Sequence, residues 1–426
     1  MPFGPHLQSP TYLTAAVPGT AGTLKHRPED FLVEEIPAYE PTGSGEHLYM
    51  LVEKRDMATL HMTRVIADHF GVKPMAVGVA GLKDKRAVTR QLVSVHIPGK
   101  KPDDFPALDH PSLTVHWTDL HANKLRRGHL KGNRFIIRIR DVEPSKVVHA
   151  HRALASLAAR GVPNRVGPQR FGFTMRNHEI GRALILGDHQ LALDLLLGPC
   201  PDFPAIHARS REAYAAGDFA GALAALPRSA ITEARLLRSL IRKPDAKRAV
   251  YAIEAAERSF FVTAFQSAVF NAVLERRLAD SLFDRLLEGD LAFKHDSGAV
   301  FPIGPAELAD PSTLDRLKRV EISPSGPMWA EGMTPAAGLP GELESAALAD
   351  SGVTLDQLAS YVRAARIEVE GARRPLRVPL MYPDVEGGMD EHGAYIKCRF
   401  ELPRGSFATV VMEEVMKTGR PVEEDT

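Results

Sequence analysis

Where alternating apolar and polar residues fall is the feature that most limits how this chain can fold. A period of two runs through residues 23–36, 48–52, 92–97 and 135–140, which predicts half-buried strands. From about residue 161 to 374 helical periodicity takes over, in a stretch rich in Ala, Leu and Arg. Beyond residue 374 the alternation returns at 377–381 and 395–400. Two short strands are too few to bury a core of their own, so they are expected to join the sheet begun by the N-terminal half. The fold class that follows is α+β. One sheet domain is made of residues 1–160 plus 375–426, interrupted by a mainly helical α/β insertion, 161–374.

Finer expectations follow from local signals. Asp56 is placed to cap a helix carrying Leu60, Val65, Ile66 and Phe70 inward, with Gly71 as its stop. Residues 183–197 read as a helix, and 260–277 as a buried one. The Pro- and Gly-rich stretch 324–341 reads as a long loop, and 386–393 as a turn. Ser406 is a candidate cap for a last helix ended by Gly419 and Pro421.

Composition excludes several classes. With 53 basic and 53 acidic residues the formal net charge is zero, so no global excess of charge advertises a nucleic-acid partner, and local runs must carry any such signal. Two cysteines far apart in sequence, Cys200 and Cys398, argue against a disulfide framework and a cysteine-based zinc site. No apolar run approaches the ~20 residues of a membrane span, and the first residues lack the pattern of a signal peptide. A monomer in the cytoplasm, without membrane attachment or an obligatory protein partner, is the expectation.

Two stretches carry chemistry. In AGLKDKRAVTRQLVSVH (80–96) an apolar run meets Gly81, and one acid, Asp84, follows between Lys83 and Lys85, with Arg86 and Arg90 close behind. A carboxylate among cations stays ionised and can serve as nucleophile or base. A surface acid that merely neutralises its neighbours fits the same residues. Residues 121–140 hold Lys124, Arg126, Arg127, Lys131, Arg134, Arg138 and Arg140, and no acid. A solvated surface normally mixes signs, so this run suits a phosphate cradle. Phe135, Ile137 and Ile139 share one strand face there, with Arg138 and Arg140 on the other.

GLKDKRAVTRQ (81–91) resembles the signature of the TruD family of tRNA pseudouridine synthases. So do LKHRPEDFLVEEIP (24–37), NKLRRGHLKGNRF (123–135), GVPNRVGPQRFG (161–172), FFVTAFQSAVFNAVLERR (260–277) and FELPRGSFATVVMEEV (400–415). The six blocks keep the family's order across most of the chain. The resemblance implies a pseudouridine-synthase sheet formed by both chain ends, interrupted by the TruD-specific insertion domain. It implies isomerisation of a tRNA uridine, uridine 13, to pseudouridine, with the base flipped out of its stack. Asp84 is then the nucleophile, Lys25 its cationic partner, and Phe135 the ring that stacks on the base. Asn133 bonds base or sugar, while Lys83, Arg126, Arg127, Lys131 and Arg134 face the RNA. Gln91 and Thr89 hold the Asp84 loop. No cofactor and no metal is implied, because breaking the N-glycosidic bond, turning the base and rejoining it through carbon needs neither redox chemistry nor phosphate transfer.

Two departures from the family pattern fall in the insertion: Arg165 and Val166 replace the usual aromatics after Asn164, and residues 199–218 are less familiar. A non-catalytic RNA-binding protein, such as a tRNA folding chaperone, could use the same basic face. Asp84, Phe135 and Asn133 together favour the enzyme. A nuclease or glycosidase would want a second acid or a histidine near Asp84, where the local sequence offers Lys, Arg and Thr.

Overall fold

An eight-stranded mixed sheet organises one of two structural units, formed by Leu13–Val162 and Val378–Thr418. The computed structural model describes residues 10–418. The strands are β1 (Phe31–Pro37), β2 (His47–Arg55), β3 (Val77–Val79), β4 (Val88–His96), β5 (Leu113–His121), β6 (Leu130–Arg140), β7 (Met381–Asp390) and β8 (Gly393–Pro403). Their order is β7-β8-β6-β1-β4-β2-β5, with β3 also on β4. β1 runs parallel to β4, and the other pairings are antiparallel. The late strands therefore complete the early sheet: Phe400 lies opposite Phe135, and Cys398 opposite Ile137.

One face of this sheet carries three helices: α1 (Thr59–His69), α2 (Val147–Arg160) and α3 (Ala408–Met416). Met62 and Ile66 of α1 are fully buried in a cluster with Leu48, Met50, Val52, Val93 and Val95. Leu154 and Leu157 of α2 join Val411 and Val415 of α3 over Val33, Phe135, Ile137, Phe400 and Leu402. Burying side chains of this size contributes roughly 1.5–3 kcal/mol each. Residues paired across strands point to the same face, so a row runs Lys54, Thr89, Val33, Phe135, Phe400. The two apolar clusters thus share a face with a polar strip between them.

The opposite face holds a lattice of ion pairs. Glu34 meets Arg90 at 2.8 Å and Arg134 at 3.3 Å, Arg90 meets Glu53 at 2.6 Å, and Arg134 meets Glu401 at 2.8 Å. Half-exposed pairs of this kind add little individually. Their alternation of sign across five strands still fixes which charges stand opposite one another.

The second unit takes Pro163–Arg377 together with residues 10–12. Its centre is the 25-residue helix Ala255–Ala279, buried on most sides, with Phe265, Val269 and Phe270 fully enclosed. A four-stranded sheet, ordered Ala372–Pro375, Ile322–Met328, Leu291–Lys294, Val300–Pro302, accompanies the helices. Buried bidentate pairing of Arg277 with Asp290 (2.7 and 2.9 Å) ties the end of the long helix to the chain that follows.

Several local expectations need correction. Asp56 does not cap α1; the N-cap is Ala58, without a side-chain bond, and Leu60 points outward while Met62 takes the inward place. Residues 183–197 are two helices, Asn177–Leu186 and His189–Leu197, parted at Gly187 with φ of 73°. The stretch 324–341 contains a strand, not one loop. Gly326 is needed there for closeness: a Cβ would stand 3.1 Å from the Phe270 ring. Residues 386–390 continue β7, leaving only a tight turn to Gly393. The N-cap of α3 is Phe407, and the Ser406 hydroxyl bonds nothing. The helix ends at Met416, with Lys417 in the left-handed region; Gly419 and Pro421 lie outside the described residues.

Truncation after Arg374 is expected to uncover Ile137, Ile139 and Leu157 and abolish cooperative unfolding of the sheet unit. Thermal melts and limited proteolysis of the truncated chain would check this. A sharp transition with a protease-resistant N-terminal half would contradict it.

Candidate active site

The site starts from a gap in the sheet. One edge of β4 is shared by β1, which pairs at residues 88–90, and β3, which pairs at 93–95. Neither reaches Gln91 and Leu92. The Leu92 N–H donates instead to the Glu35 carboxylate at 3.4 Å. Glu35 is buried, and burial pushes its carboxyl up while Lys83 opposes the shift. The Lys83 ammonium meets it at 2.8 Å, itself almost wholly buried. A buried carboxylate demands such a partner. Lys83 is thereby drawn inward, and Asp84 follows it on the chain.

The loop around Asp84 is fixed at several further points. The Thr59 hydroxyl accepts from Lys83 N at 2.9 Å and donates to its carbonyl at 3.3 Å. Lys54, fully buried, donates to the Asp84 carbonyl at 2.6 Å. Gln91 Nε2 donates to the Gly81 carbonyl at 3.4 Å, and Ala87 N to the Lys85 carbonyl at 2.9 Å. The Asp84 side chain remains 35% exposed, with Lys25 Nζ 3.7 Å from its Oδ2. Lys25 stands in the left-handed region, φ 54°, and its ammonium lies 4.9 Å from the centre of the Phe31 ring. A carboxylate open to ligands thus sits on a rigid turn beside a cation held over an aromatic face.

The face beneath offers polar groups that the protein leaves unsatisfied. Thr89 Oγ1, Gln91 Oε1 and Asn133 Oδ1 are each buried without a hydrogen-bond partner. Buried acceptors are normally bonded, so three on one sheet face mark a place where a ligand or solvent completes the bonding. Phe135 lies on the same face, 7% exposed, its ring 5.6 Å from that of Phe400 and tilted by 33°.

The basic loop between β5 and β6 is fastened next to the Asp84 loop. Gly128 N donates to the Ala80 carbonyl at 2.8 Å, and Leu125 N to Ser94 Oγ at 3.0 Å. The approach is close enough that a Cβ on Gly78 would fall 2.3 Å from the Leu125 carbonyl oxygen. Arg404 donates to the Gly128 carbonyl at 2.8 Å. Arg126, Arg127 and Lys131 are exposed, and among the described residues none forms an ion pair.

The residues singled out in the sequence therefore divide. Asp84 and Lys25 come together, and Asn133 and Phe135 share the face below. Arg126, Arg127 and Lys131 present unpaired charge beside them. Lys83 and Arg134 are engaged in ion pairs: the first with buried Glu35, the second with Glu34 and Glu401 on the opposite face. Gln91 holds the loop as expected, while the Thr89 hydroxyl holds nothing. Glu35, Lys54 and Thr59 escaped notice. A signal existed for Lys54, which continues the buried phase of Leu48, Met50 and Val52 along β2.

Burial lowers the Lys54 ammonium to about 8, with Asp84 and Asp56 opposing and Lys83 assisting. The unfolded chain has the ordinary value of 10.5. Folded protein therefore binds fewer protons between these values, and stability gained from Lys54 deprotonation rises across that window. Below pH 8 the whole cost is present. The melting-temperature difference between Lys54→Met and wild type is expected to be most favourable to the variant at pH 7 and to shrink from pH 8 to 10.5. A pH-independent difference would show that Lys54 is not perturbed.

Comparison with known proteins adds to this geometry. The family model described as "tRNA pseudouridine synthase D (TruD)" matches residues 8–415. A tRNA pseudouridine synthase D of Geobacter sulfurreducens is 43% identical over 408 residues, covering 95% of this chain and 96% of the relative. One from Anaeromyxobacter sp. is 36% identical over 414 residues, covering 97% of each chain. The crystal structure of a putative tRNA pseudouridine synthase D from Methanosarcina mazei superposes with a TM-score of 0.83 at 27% identity, covering 98% of both chains.

Proposed function

Because this chain belongs to the TruD family of tRNA pseudouridine synthases, we propose that Asp84 is the nucleophile that isomerises a flipped-out uridine, uridine 13 of tRNA. The observation that carries the reading is Asp84 itself: a partly exposed carboxylate on a loop fixed by Thr59 and Lys54, with Lys25 at 3.7 Å. Its carboxylate attacks C1′ of the ribose, and the C1′–N1 bond breaks with its electron pair leaving on the uracil. The base turns, C5 bonds to C1′, and the carboxylate departs with its own pair. C5 gives up its proton and N1 takes one up, so the product is an isomer. Lys25 balances the carboxylate before attack and after release.

In this reading Phe135 stacks on the uracil and Asn133, through its unpaired Oδ1, accepts from the N3–H that distinguishes uracil from cytosine. Arg126, Arg127 and Lys131 hold phosphates of the tRNA. Lys83 and Arg134 serve the scaffold instead. The sheet unit is the catalytic domain, and 163–377 is the TruD-specific insertion. The enzyme works as a monomer in the cytoplasm, where burial, which pushes the Cys398 thiol up to about 12, keeps that thiol inert.

Single-turnover conversion with enzyme in excess tests the chemistry. Asp84→Asn is expected to bind tRNA within a few-fold of wild type and form no pseudouridine; conversion near the wild-type rate would remove Asp84 from the mechanism. Phe135 also packs on Phe400, so Phe135→Leu separates its two roles better than Ala does. Loss of stacking worth about 1–3 kcal/mol should slow turnover by roughly five- to 150-fold at a temperature where the variant is fully folded. An unchanged rate would leave Phe135 as core alone.

Salt dependence tests the basic loop. Each phosphate neutralised contributes a log–log slope of roughly 0.7–0.9. Arg126→Ala with Arg127→Ala is expected to weaken tRNA binding and flatten that slope by about one to two units. An identical slope and affinity would mean that neither arginine meets the RNA.

A further inference from the structure

Lys54 is a lysine where the fold asks for an apolar residue. It occupies the inward phase of β2 after Leu48, Met50 and Val52, and is fully buried. Its ammonium forms no carboxylate ion pair within 4 Å among the described residues, and its hydrogen bond is to the carbonyl of Asp84, at 2.6 Å. The groups facing it are few. The loop brings Asp84 and Lys83, the β2–α1 connection brings Asp56, and uncharged Thr89 lies across on β4. A methionine would fill this place without a buried charge, and replacing buried ions by apolar side chains is often neutral or stabilising. What lysine supplies and methionine cannot is a charged donor beneath the Asp84 peptide.

We propose that Lys54 is a positioning residue for the isomerisation: its ammonium grips the Asp84 carbonyl from within the sheet and so sets the carboxylate for attack. The inference rests on Asp84 as the nucleophile. Lys25 and Lys54 then hold the same residue from two sides, one at the carboxylate and one at the peptide oxygen. The two contacts differ in consequence. Lys25 balances charge, whereas Lys54 fixes direction, because a charge-assisted bond to a carbonyl is short and oriented. A misplaced nucleophile loses rate steeply even when substrate binds normally. Lys54 touches neither base nor phosphate, so its loss should appear in the chemical step and leave tRNA affinity alone.

The protonation state of Lys54 enters directly, because the neutral amine is a weaker donor and carries no charge. With its ammonium brought down to about 8 by burial, the grip should slacken as pH rises through that value. Groups elsewhere cannot substitute: Lys83 is committed to Glu35, and Lys25 reaches the opposite end of Asp84.

The experiment measures three things on the full-length protein. Lysine labelled with nitrogen-15 at Nζ reports, by NMR, whether one resonance titrates near pH 8 and vanishes in Lys54→Met. Single-turnover rates at saturating enzyme are followed from pH 6 to 10 for wild type, Lys54→Met and Asp84→Asn. Equilibrium tRNA binding is measured at pH 7 for all three. The expected result is a wild-type rate that falls across the same pH at which the Lys54 resonance titrates. Lys54→Met should be folded, bind tRNA within threefold, convert at least tenfold more slowly at pH 7, and lack that alkaline fall. A Lys54→Met rate or pH profile equal to wild type would overturn the proposal while an inactive Asp84→Asn left the nucleophile in place. An active Asp84→Asn would instead remove the nucleophile assignment on which the proposal stands. A tRNA affinity lost together with the rate would make Lys54 a structural or binding residue and likewise overturn the proposal.

Discussion

The shared edge of β4 is the constraint from which the site grows. β1 arrives parallel and β3 antiparallel, and the two leave Gln91 and Leu92 uncovered between them. A backbone N–H left there would cost about as much as a lost hydrogen bond, so Glu35 turns inward to accept it. A buried carboxylate then requires a cation, and Lys83 comes down to supply it. Residues adjacent on an extended loop point different ways, so Asp84 is turned out as Lys83 is turned in. The placement of one accessible acid follows from satisfying one backbone donor on the strand that the acid's own loop leads into.

The same logic sorts the cations around Asp84. Lys83, Lys54 and Lys25 are tied to Glu35, to the Asp84 carbonyl and to the Asp84 carboxylate, and they make the site rigid. Arg126, Arg127 and Lys131 carry charge that the protein leaves unpaired, which is the state in which cations attract phosphates. Arg134 and Arg90, equally basic in sequence, are consumed by Glu34, Glu53 and Glu401 on the far face. A neutral chain thus keeps a basic edge by cancelling its charges unevenly. The unsatisfied acceptors of Thr89, Gln91 and Asn133 complement this arrangement: around the site, unpaired positive charge and open hydrogen-bond acceptors lie close together.

Local pattern was most readable where burial alone decides it. The alternation of Phe135, Ile137 and Ile139 and the enclosure of residues 260–277 follow from which side chains avoid water, and both appear in the fold. Turn chemistry misled where tertiary packing overrode it. Gly326 sits in a strand where a Cβ would crowd the Phe270 ring at 3.1 Å, and Asp56 fails as a cap because the helix begins only at Thr59, with Ala58 in the N-cap place. Asp84 and the run of basic residues stood out because unlike charge in a short window is visible without a fold. Glu35 and Thr59 did not, since each acts on a loop 24 or more residues away.

By itself the sequence determined that early and late strands form one sheet, because two C-terminal strands cannot bury their own apolar faces. It also determined the family, through six blocks in order, and the stretch that carries the acid. Only the tertiary structure decided which cations face outward. Ion pairing depends on distance across strands, and neighbours on a sheet face such as Glu34 and Arg134 lie 100 positions apart in the chain. That is why Lys83 and Arg134, indistinguishable from Arg126 by residue type, turn out to be ion-paired, and why Lys54, unremarked in a run of strand residues, lies under the Asp84 peptide.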